Sequence, residues 1–440
     1  ANLRRILVGF VWVRQVSSKT TMSIARVVLN GLKPVGRRTV SAARSARTLS
    51  TGGEAAPVGV PMSSLIVGVP KEILPGERRV GMTPSSIETL LKKGFGGVLV
   101  EDGAGSLANF TNEDYVAAGA TIVKTADVWK QASVVMKVRA PDMKKEVPLL
   151  SKDQMLISYV QPNINTDLVK AFTKPGEGAT VWAMDSIPRI SRAQVFDVLS
   201  SMSNISGYKA VVEAANKFGR FFTGQITAAG RVPPAKVLVI GGGVAGLSAI
   251  ATAKSMGAVV RGFDTRPAVR EQVESLGGEF LVVPGFEDED GDGAGGYAKE
   301  MSKEFIDAEM AMFAEQCKDV DIVITTALIP GKPAPKLISA DMIASMKQGS
   351  VTVDLAAEAG GNIVGTVPGK AVVTSNGVTL IGYTDLPSRL PTQSSTLYAN
   401  NVTKFLLSMT DAKEGTFHVD LEDEVVRGAM VTQGGGLMWP

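Results

Sequence analysis

The sequence predicts an α/β fold with two Rossmann-like doubly wound parallel-sheet domains, the second inserted into the first. Strand-like apolar runs alternate with helical runs from residue 65 onward, which is typical of parallel sheets. A glycine-rich turn follows the apolar run at 237–240, and a helical run at 394–407 returns to complete the first domain. The predicted parts are a basic segment with a linker at 1–62, a first domain at 63–188 plus 380–440, and a second domain at 189–379.

The middle of the chain carries a G-x-G-x-x-G spacing in a suitable context. Gly241, Gly243 and Gly246 lie between the apolar strand 237–240 and a helix of small residues at 247–254. Glycine serves the tight turn, the close approach of a pyrophosphate, and the close packing of helix on strand. The helix N-terminus offers unpaired N–H groups and a positive dipole end to phosphates. We therefore predict a dinucleotide site; the alternative is an ordinary βαβ unit whose glycines serve only the turn.

An acidic residue stands where a dinucleotide fold places the carboxylate that binds the adenosine ribose. A second apolar strand, 258–263, ends at Asp264, which lies 18 residues beyond Gly246. A carboxylate repels a 2′-phosphate, so the sequence favours NAD(H) over NADP(H). Arg266, two residues further on, is a mild counter-argument.

Two further loops are expected to line the cofactor crevice, because ligands bind outside the carboxyl ends of parallel strands. These loops, 327–335 and 355–361, each follow a predicted strand. Residues 284–296 are dense in Asp, Glu and Gly and are predicted to form a mobile surface loop, with Tyr297 at its end.

A polar segment precedes the glycine motif. Within residues 188–201 a helix is predicted to begin at Ser191 or Arg192, and Gln194, Asp197 and Ser201 fall at positions i, i+3 and i+7 of that helix. They would share one face. The spacing alone leaves two interpretations open, a functional face and a solvated one.

Composition excludes several classes of site. The 440-residue chain has one cysteine, Cys317, and one histidine, His418. A disulfide framework within the chain, a four-cysteine metal site, a histidine-based metal centre and a Ser-His triad are therefore not expected. From these counts we predict no metal site. No run of 18 or more apolar residues occurs, so we also predict no transmembrane span.

The amino-terminal segment differs from the rest in charge. Residues 1–53 contain ten Lys and Arg residues and no Asp or Glu, whereas the remainder has 36 basic and 43 acidic residues. An acid-free segment rich in Arg and Ser is typical of an organelle transit peptide. A retained membrane-surface or partner-binding extension is the alternative, and the acidic body argues against a nucleic-acid partner.

Long stretches of the body resemble one known family. They are 67–73, 77–80, 188–194 with Asp197 and 200–201, 232–241, 296–299, 327–335 and 425–431. In these stretches, residues 64–440 are similar to the NAD(H)-binding component, domain I, of proton-translocating nicotinamide nucleotide transhydrogenases. The chain is also related to alanine dehydrogenases.

The resemblance implies roles for particular residues. Gln194 would hold the dihydronicotinamide for direct hydride transfer to NADP⁺ on another domain, and Arg189, Asp197 and Ser200 would complete the catalytic set. Tyr297 matches a mobile-loop tyrosine that closes over the bound nucleotide. The predicted cofactor-binding residues are Gly241, Gly243, Val244, Gly246, Asp264, Thr265, Arg266, Tyr297, Ala327 and Leu328.

One position separates the chain from alanine dehydrogenases, which use a histidine as acid and base near the substrate. In the matching stretch 155–162 this chain has Gln161, which cannot shuttle a proton. Deamination of an amino acid needs proton transfers, whereas hydride exchange between two nicotinamides needs none. Two other interpretations remain open, a soluble oxidoreductase resembling alanine dehydrogenase and a non-catalytic NAD-binding subunit of a mitochondrial complex.

The resemblance also implies partners. NAD(H) would bind this chain and NADP(H) a partner domain, and the full assembly would couple hydride transfer to proton translocation across a membrane. The membrane domain and the NADP-binding domain would come from another chain or from a part not given. A homodimer on the matrix side of the mitochondrial inner membrane is expected.

Overall fold

Two parallel-dominated sheets organise the chain. The computed structural model describes residues 59–173, 178–287, 289, 291–293, 299, 301–328 and 333–439. The predicted transit segment therefore lies outside the described residues, as do Tyr297 and residues 288, 290 and 294–296 of the predicted acidic loop. The mixed α/β class with two such sheets confirms the predicted fold class.

Strands and helices alternate as predicted through most of the described chain. The strands are β1 (Val60–Pro61), β2 (Ile66–Val69), β3 (Gly97–Glu101), β4 (Thr121–Val123), β5 (Val134–Met136), β6 (Met155–Ser158), β7 (Thr180–Ala183), β8 (Gln225–Thr227), β9 (Gly230–Val232), β10 (Lys236–Ile240), β11 (Val259–Phe263), β12 (Glu279–Phe280), β13 (Ile322–Thr325), β14 (Val351–Asp354), β15 (Ala371–Val373), β16 (Thr379–Ile381), β17 (Thr410–Asp411), β18 (Thr416–Phe417), β19 (Met430–Gln433) and β20 (Gly436–Leu437). The α-helices are α1 (Pro84–Lys92), α2 (Asn112–Ala117), α3 (Thr125–Gln131), α4 (Thr166–Phe172), α5 (Val198–Lys217), α6 (Val244–Ser255), α7 (Ala268–Ser275), α8 (Lys303–Asp319), α9 (Ala340–Ser345), α10 (Pro391–Ser408) and α11 (Glu424–Gly428).

The first sheet has the order β4-β3-β2-β5-β6-β7-β19-β20. Its pairs from β4 to β7 are parallel, and β19 joins β7 antiparallel from the end of the chain. The first six strands therefore follow the doubly wound order 3-2-1-4-5-6. Because β19 and β20 complete a sheet begun by β2, the segment that forms the second sheet is inserted into the first domain.

The second sheet has the order β12-β11-β10-β13-β14-β16-β15. Every pair from β12 to β16 is parallel, and β15 runs antiparallel at the edge. Its six parallel strands repeat the order 3-2-1-4-5-6, so a topological switch point lies between β10 and β13. This sheet extends to Ile381, two residues beyond the boundary proposed at residue 379.

Helix α5 connects the two sheets. It packs against α10 on the side of the first domain and against α6 on the side of the second. The approach to α6 is close, since a Cβ built on Gly207 would lie 2.0 Å from the carbonyl oxygen of Ala245. Gly207 thus allows the connecting helix to lie directly against the start of α6.

The last predicted strand is partly wrong. The sequence of residues 425–433 predicts one exit strand, but the structure begins with α11 and becomes extended only at β19. The Asp423 carboxylate accepts hydrogen bonds from the backbone N–H groups of Val425 at 2.8 Å and Val426 at 3.3 Å. This N-cap satisfies donors at the start of α11 and favours a helical turn over a strand.

The cores explain why the strand segments are nearly continuous runs of apolar residues. Each sheet is covered on both faces, and the buried clusters contain the interior residues of β2, β5, β10 and β13. Within the described residues, no helix combines the length and the apolar character that crossing a bilayer requires.

Candidate functional site

A crevice of about 1360 Å³ opens at the carboxyl ends of the second sheet. Its walls come from the turn after β10, the end of β11, the loops after β13 and β14, and the segment before α5. The crevice therefore lies at the switch point where doubly wound folds bind ligands. Both predicted loops contribute to it, through Ala327, Leu328, Pro333 and Pro335 of one and Leu355 and Glu358 of the other.

The three glycines of the motif have distinct surroundings. Gly241 has φ +102°, and a Cβ there would lie 2.4 Å from Thr326 Oγ1. A Cβ on Gly246 would lie 1.7 Å from the Gly241 carbonyl oxygen, so this position needs glycine for packing. A Cβ on Gly243 would meet no heavy atom within 4 Å among the described residues, and Gly243 lines the crevice. Its missing side chain leaves the backbone open to a ligand.

Helix α6 begins beside this turn. Val244 is its first residue, and Gly243 precedes it with no side chain to cap the helix. The N–H groups of the first turn are therefore oriented towards the crevice without an internal side-chain partner at the cap. Such a helix terminus binds anionic groups through its N–H donors and its dipole.

Asp264 and its neighbours line the crevice at the end of β11. The Asp264 carboxylate accepts a hydrogen bond from the Gly242 backbone N–H at 2.7 Å and is paired with Arg266. Thr265 and Arg266 also line the crevice. The structure thus places the predicted ribose carboxylate directly against the glycine turn.

The segment that carries Gln194 is not the continuous α-helix that spacing predicted. Residues Ser191–Phe196 form a 3₁₀ helix, which ends before α5 starts. Asp197 caps α5 instead, accepting hydrogen bonds from the Ser200 backbone N–H at 2.9 Å and the Ser200 hydroxyl at 2.5 Å. The Asp197 N-cap requires a non-helical backbone, which breaks the predicted face.

The break changes which residues face the crevice. Gln194, Asp197 and Ser200 line it together with Arg189, whereas the Ser201 hydroxyl donates to Asn401 Oδ1 at 2.7 Å on α10. The predicted Gln-Asp-Ser201 face is therefore wrong for Ser201. Gln194 and Arg189 are exposed at the mouth of the crevice, and Asp197 is partly buried.

The two ends of loop 327–335 that the structure describes, 327–328 and 333–335, are held by a buried amide that the sequence did not reveal. Asn362 Nδ2 donates to the carbonyl oxygens of Ala327 at 2.8 Å and Pro335 at 2.9 Å. The Asp354 carboxylate accepts from the backbone N–H groups of Ala356 at 3.0 Å and Ile363 at 3.0 Å. These bonds fix the two loops to each other, and no local pattern signals such a long-range contact.

Glu309 is a crevice residue that sequence reasoning missed. It lies on α8 in the buried stripe Phe305, Glu309, Phe313 and Cys317, and its exposed fraction is 6%. Within the described chain its carboxyl group has no hydrogen bond or ion pair, and burial raises its pKa to about 7. The available signal in the sequence was an acid that lies four residues from each of two phenylalanines, and therefore on their face of the helix.

The segment after β16, where the chain returns to the first domain, adds a further wall to the crevice. Tyr383, Thr384, Leu386 and Pro387 follow β16 and line the crevice. The Arg389 guanidinium lies 3.5 Å from the centroid of the Tyr383 ring and pairs with Asp385 at 2.7 Å. This stacking fixes the tyrosine ring.

Apart from Glu309, the groups in the crevice walls suit binding and orientation rather than proton transfer. The single histidine, His418, is exposed and does not line the crevice. Among the described residues there is no group of three or more His, Cys, Asp or Glu side chains that would suit a metal. The walls instead present N–H donors, hydroxyls, an amide and carboxylates.

Comparison with known proteins identifies the family. Residues 68–206 match the model of the alanine dehydrogenase/PNT N-terminal domain, and residues 210–440 match that of the C-terminal domain. The chain belongs to the alanine dehydrogenase/PNT family. The predicted resemblance is thereby confirmed.

Within the alanine dehydrogenase/PNT family the chain is more similar to transhydrogenases. It is 52% identical over 375 residues to the NAD(P) transhydrogenase subunit alpha of Cereibacter sphaeroides, covering 85% of this chain and 71% of that protein. A transhydrogenase structure from Sinorhizobium meliloti matches with a TM-score of 0.76 and 41% identity, covering 84% of this chain and 99% of that one. An L-alanine dehydrogenase structure matches with a TM-score of 0.69 and 28% identity, covering 86% and 97%.

Proposed function

We propose that this chain binds NAD(H) in the crevice and exchanges hydride between NADH and NADP⁺ bound on a partner domain. One observation carries the proposal: a single crevice joins the open start of α6 and Asp264 on the second domain to Gln194 and Asp197 on the segment that leaves the first domain. A dinucleotide has a phosphate, a ribose and a nicotinamide that need these different partners.

The adenosine half would lie on the second domain. The pyrophosphate would approach the backbone at Gly243 and the N–H groups that begin α6. The Asp264 carboxylate would accept hydrogen bonds from the adenosine ribose hydroxyls, and its charge disfavours a 2′-phosphate. NAD(H) is therefore the proposed nucleotide.

The nicotinamide half would lie against Gln194, Asp197 and Ser200. Bound NADH supplies a hydride from its dihydronicotinamide ring, and the chain's residues orient that ring. The Gln194 amide can both donate and accept hydrogen bonds, which suits a carboxamide. The Ser200 hydroxyl is fixed by Asp197 at 2.5 Å, so its orientation is set before the nucleotide arrives.

Exposure of Gln194 supports transfer to another domain. A ring held at the crevice mouth is accessible to a second nucleotide, whereas a ring at the crevice floor would be shielded. Hydride exchange between two such rings requires close alignment and exclusion of water, and it requires no acid or base. The absence of histidine from the described crevice walls suits this reaction.

The partners and the location extend the proposal. The relative from Cereibacter sphaeroides is named as a subunit, and we propose that here too an NADP-binding domain and a proton-translocating membrane domain act with this chain. We propose a location on the matrix side of the mitochondrial inner membrane, because residues 1–53 have the acid-free, Arg- and Ser-rich composition of a transit peptide. We also propose a homodimer, and Ile226, which is 87% exposed on the β8–β9 hairpin, would lie in its interface.

Amino-acid oxidation is the second candidate, since the chain is also similar to an alanine dehydrogenase. Gln161 argues against it. By the resemblance this residue stands where those enzymes have a histidine, and Gln161 does not line the crevice. A non-catalytic NAD-binding subunit is the third candidate, and it predicts NADH binding without transfer.

Hydride transfer in a reconstituted mixture tests the proposal. We would mix this chain with a transhydrogenase NADP-binding domain, NADP⁺ and NADH, and follow reduction of an NAD⁺ analogue. We expect rapid cyclic transfer that Gln194→Ala lowers at least tenfold, while Gln272→Ala on the exposed side of α7 leaves it unchanged. Tight NADH binding without transfer would favour the non-catalytic subunit, and turnover of alanine with NAD⁺ would favour the dehydrogenase.

A further inference from the structure

The proposed ribose carboxylate is already fully engaged by the protein. Asp264 Oδ1 accepts hydrogen bonds from the Arg266 backbone N–H at 2.9 Å and from Arg266 Nε at 2.8 Å. Asp264 Oδ2 accepts from the Gly242 backbone N–H at 2.7 Å and from Arg266 Nη2 at 2.7 Å. A carboxylate offers about four lone-pair positions, and these four donors fill them.

A ribose diol needs positions that Arg266 now occupies. Two vicinal hydroxyls donate to the two oxygens of a carboxylate, and the Nε and Nη2 atoms of a guanidinium donate in the same fork geometry. The Gly242 N–H belongs to the glycine turn and stays in place. Only the guanidinium can leave without moving the backbone.

The pair is sheltered but can be opened. The exposed fractions are 18% for the Arg266 side chain and 8% for the Asp264 side chain, and both residues line the crevice. Arg266 therefore has the crevice itself as space into which its side chain can rotate. Breaking a charge-assisted pair that is partly screened from water weakens the binding of anything that must replace it.

We propose that Arg266 is an internal competitor of the adenosine ribose. Arg266 must release Asp264 before the ribose diol can bind, and it thereby sets both the affinity for the nucleotide and the discrimination at the 2′-position. This inference rests on the proposed binding of NAD(H) in the crevice. The released guanidinium stays near the 2′-position, where its charge offsets part of the repulsion between Asp264 and a 2′-phosphate. Arg266 thus makes the site bind NADH less tightly and select against NADPH less strongly than a bare carboxylate would.

The test replaces Arg266 by residues that cannot chelate the carboxylate. Arg266→Met keeps the length of the side chain without its donors, and Arg266→Lys keeps the charge without the fork. We expect Arg266→Met to bind NADH about tenfold more tightly than the full wild-type chain in a fluorescence titration, and Arg266→Lys to fall between them. NADPH should bind Arg266→Met no more tightly than wild type, so the NADH to NADPH selectivity rises.

Two controls separate competition from a general change in the loop. Arg270→Met removes an exposed arginine of α7 that stacks on Phe280 at 5.5 Å, and it should leave NADH affinity unchanged. An NADH analogue without the adenosine 2′-hydroxyl should gain less than about threefold from Arg266→Met, because it offers Asp264 one donor fewer. A loosened loop would change the binding of NADH and the binding of this analogue to the same extent.

The outcomes distinguish the inference from the proposed function. Equal or weaker NADH binding in both Arg266→Met and Arg266→Lys, with wild-type melting temperatures, would overturn the competition. An equal gain for the analogue lacking the 2′-hydroxyl would overturn it as well. Failure of the wild-type chain to bind NADH at all would instead refute the proposed function.

Discussion

The two domains share one strand order and differ in what occupies its switch point. In the second sheet an open crevice lies outside the carboxyl ends of β10 and β13. In the first sheet the equivalent place, outside β2 and β5, contains the chain's own charged side chains. The same topology therefore carries an open crevice in one copy and a packed ionic cluster in the other, so the residues after the first strand decide which of the two the fold provides.

The cluster in the first domain is buried and internally paired. Arg79 donates to Glu77 at 2.7 and 2.6 Å, and Arg139 donates to Glu77 at 2.7 Å. Lys137 lies 3.0 Å from Glu72 and 2.9 Å from Glu146. Burial alone would raise the pKa of Glu77, but the hydrogen bonds and charges of both arginines bring that pKa well below its usual range. Glu77 therefore stays ionised, and its charge is paired with the two arginines rather than available to a ligand.

The helices that follow the two first strands differ in the same way. Helix α1 starts with Pro84, which has no N–H to offer, and the Ser86 hydroxyl accepts from the Thr83 backbone N–H at 2.9 Å. Helix α6 starts after Gly243 with no side-chain cap. Side chains satisfy the start of the first helix, whereas the start of the second helix has no side-chain cap.

The largest expected effect comes from breaking the cluster in the first domain. Arg79→Met leaves the buried Glu77 short of a partner, so the free energy of unfolding should fall by about 3–5 kcal/mol in a urea titration. The adjacent, exposed Arg78→Met should change it by under about 0.5 kcal/mol. NADH affinity of the folded variant should be that of wild type, and a large loss of affinity would show that the first switch point also takes part in binding.

Glu309 provides a pH test of the second domain. Because burial raises its folded-state pKa from 4.5 to about 7, the folded state binds more protons than the unfolded state between these values. Stability contributed by the protonated form is therefore lost as pH rises from 4.5 to 7, by up to about 3 kcal/mol. Glu309→Gln should remove this slope, whereas Glu304→Gln on the exposed side of α8 should keep it. A wild-type slope that survives in Glu309→Gln would exclude Glu309 as its source.

Gly243 separates binding from folding in the second domain. Gly243→Ala adds a Cβ that meets no described heavy atom within 4 Å but lies where a pyrophosphate would approach. NADH affinity should fall about 100-fold, or about 2.7 kcal/mol, while the free energy of unfolding changes by under about 1 kcal/mol. Gly219→Ala, which also adds a Cβ in open space, is the control. Unchanged affinity would place the phosphates elsewhere.

The smallest expected effect concerns the capped helix of the first domain. Ser86→Ala removes the hydroxyl that accepts from Thr83 N–H and should lower the free energy of unfolding by about 1 kcal/mol. Ser85→Ala, at the exposed neighbouring position, should lower the free energy of unfolding by less. NADH binding should not change in either variant, and a change would mean that the capped terminus also contacts the nucleotide.

The features that the sequence predicted are those that depend on local pattern. Apolar runs predict the strands of both sheets, and the sequence pattern of Thr83-Pro84 and of Gly257 is typical of a helix start and a helix end, where the structure has them. The glycine spacing located the turn at the crevice because close approach of backbone to backbone has a strict residue requirement. The division of the chain at residues 188 and 379 and the roles of the site residues remain proposals.

The features that the sequence did not predict depend on distant contacts. Glu72 and Lys137 are far apart in the chain, so their pairing has no local signal. The break before α5 arises because Asp197 takes the N-cap, which periodicity alone cannot distinguish from a helical face. Glu309 was missed because an acid in an apolar stripe is read as a surface residue unless its neighbours are known to be buried.

Isotope transfer tests the central claim most directly. The chain would be mixed with a transhydrogenase NADP-binding domain, NADP⁺ and NADH that carries deuterium at the transferred position of C4. Direct hydride exchange at the Gln194 end of the crevice predicts that the deuterium is recovered in NADPH with no loss to water. Deuterium lost to solvent, or found at Cα of alanine rather than in NADPH when pyruvate and ammonium are added to the mixture, would contradict it.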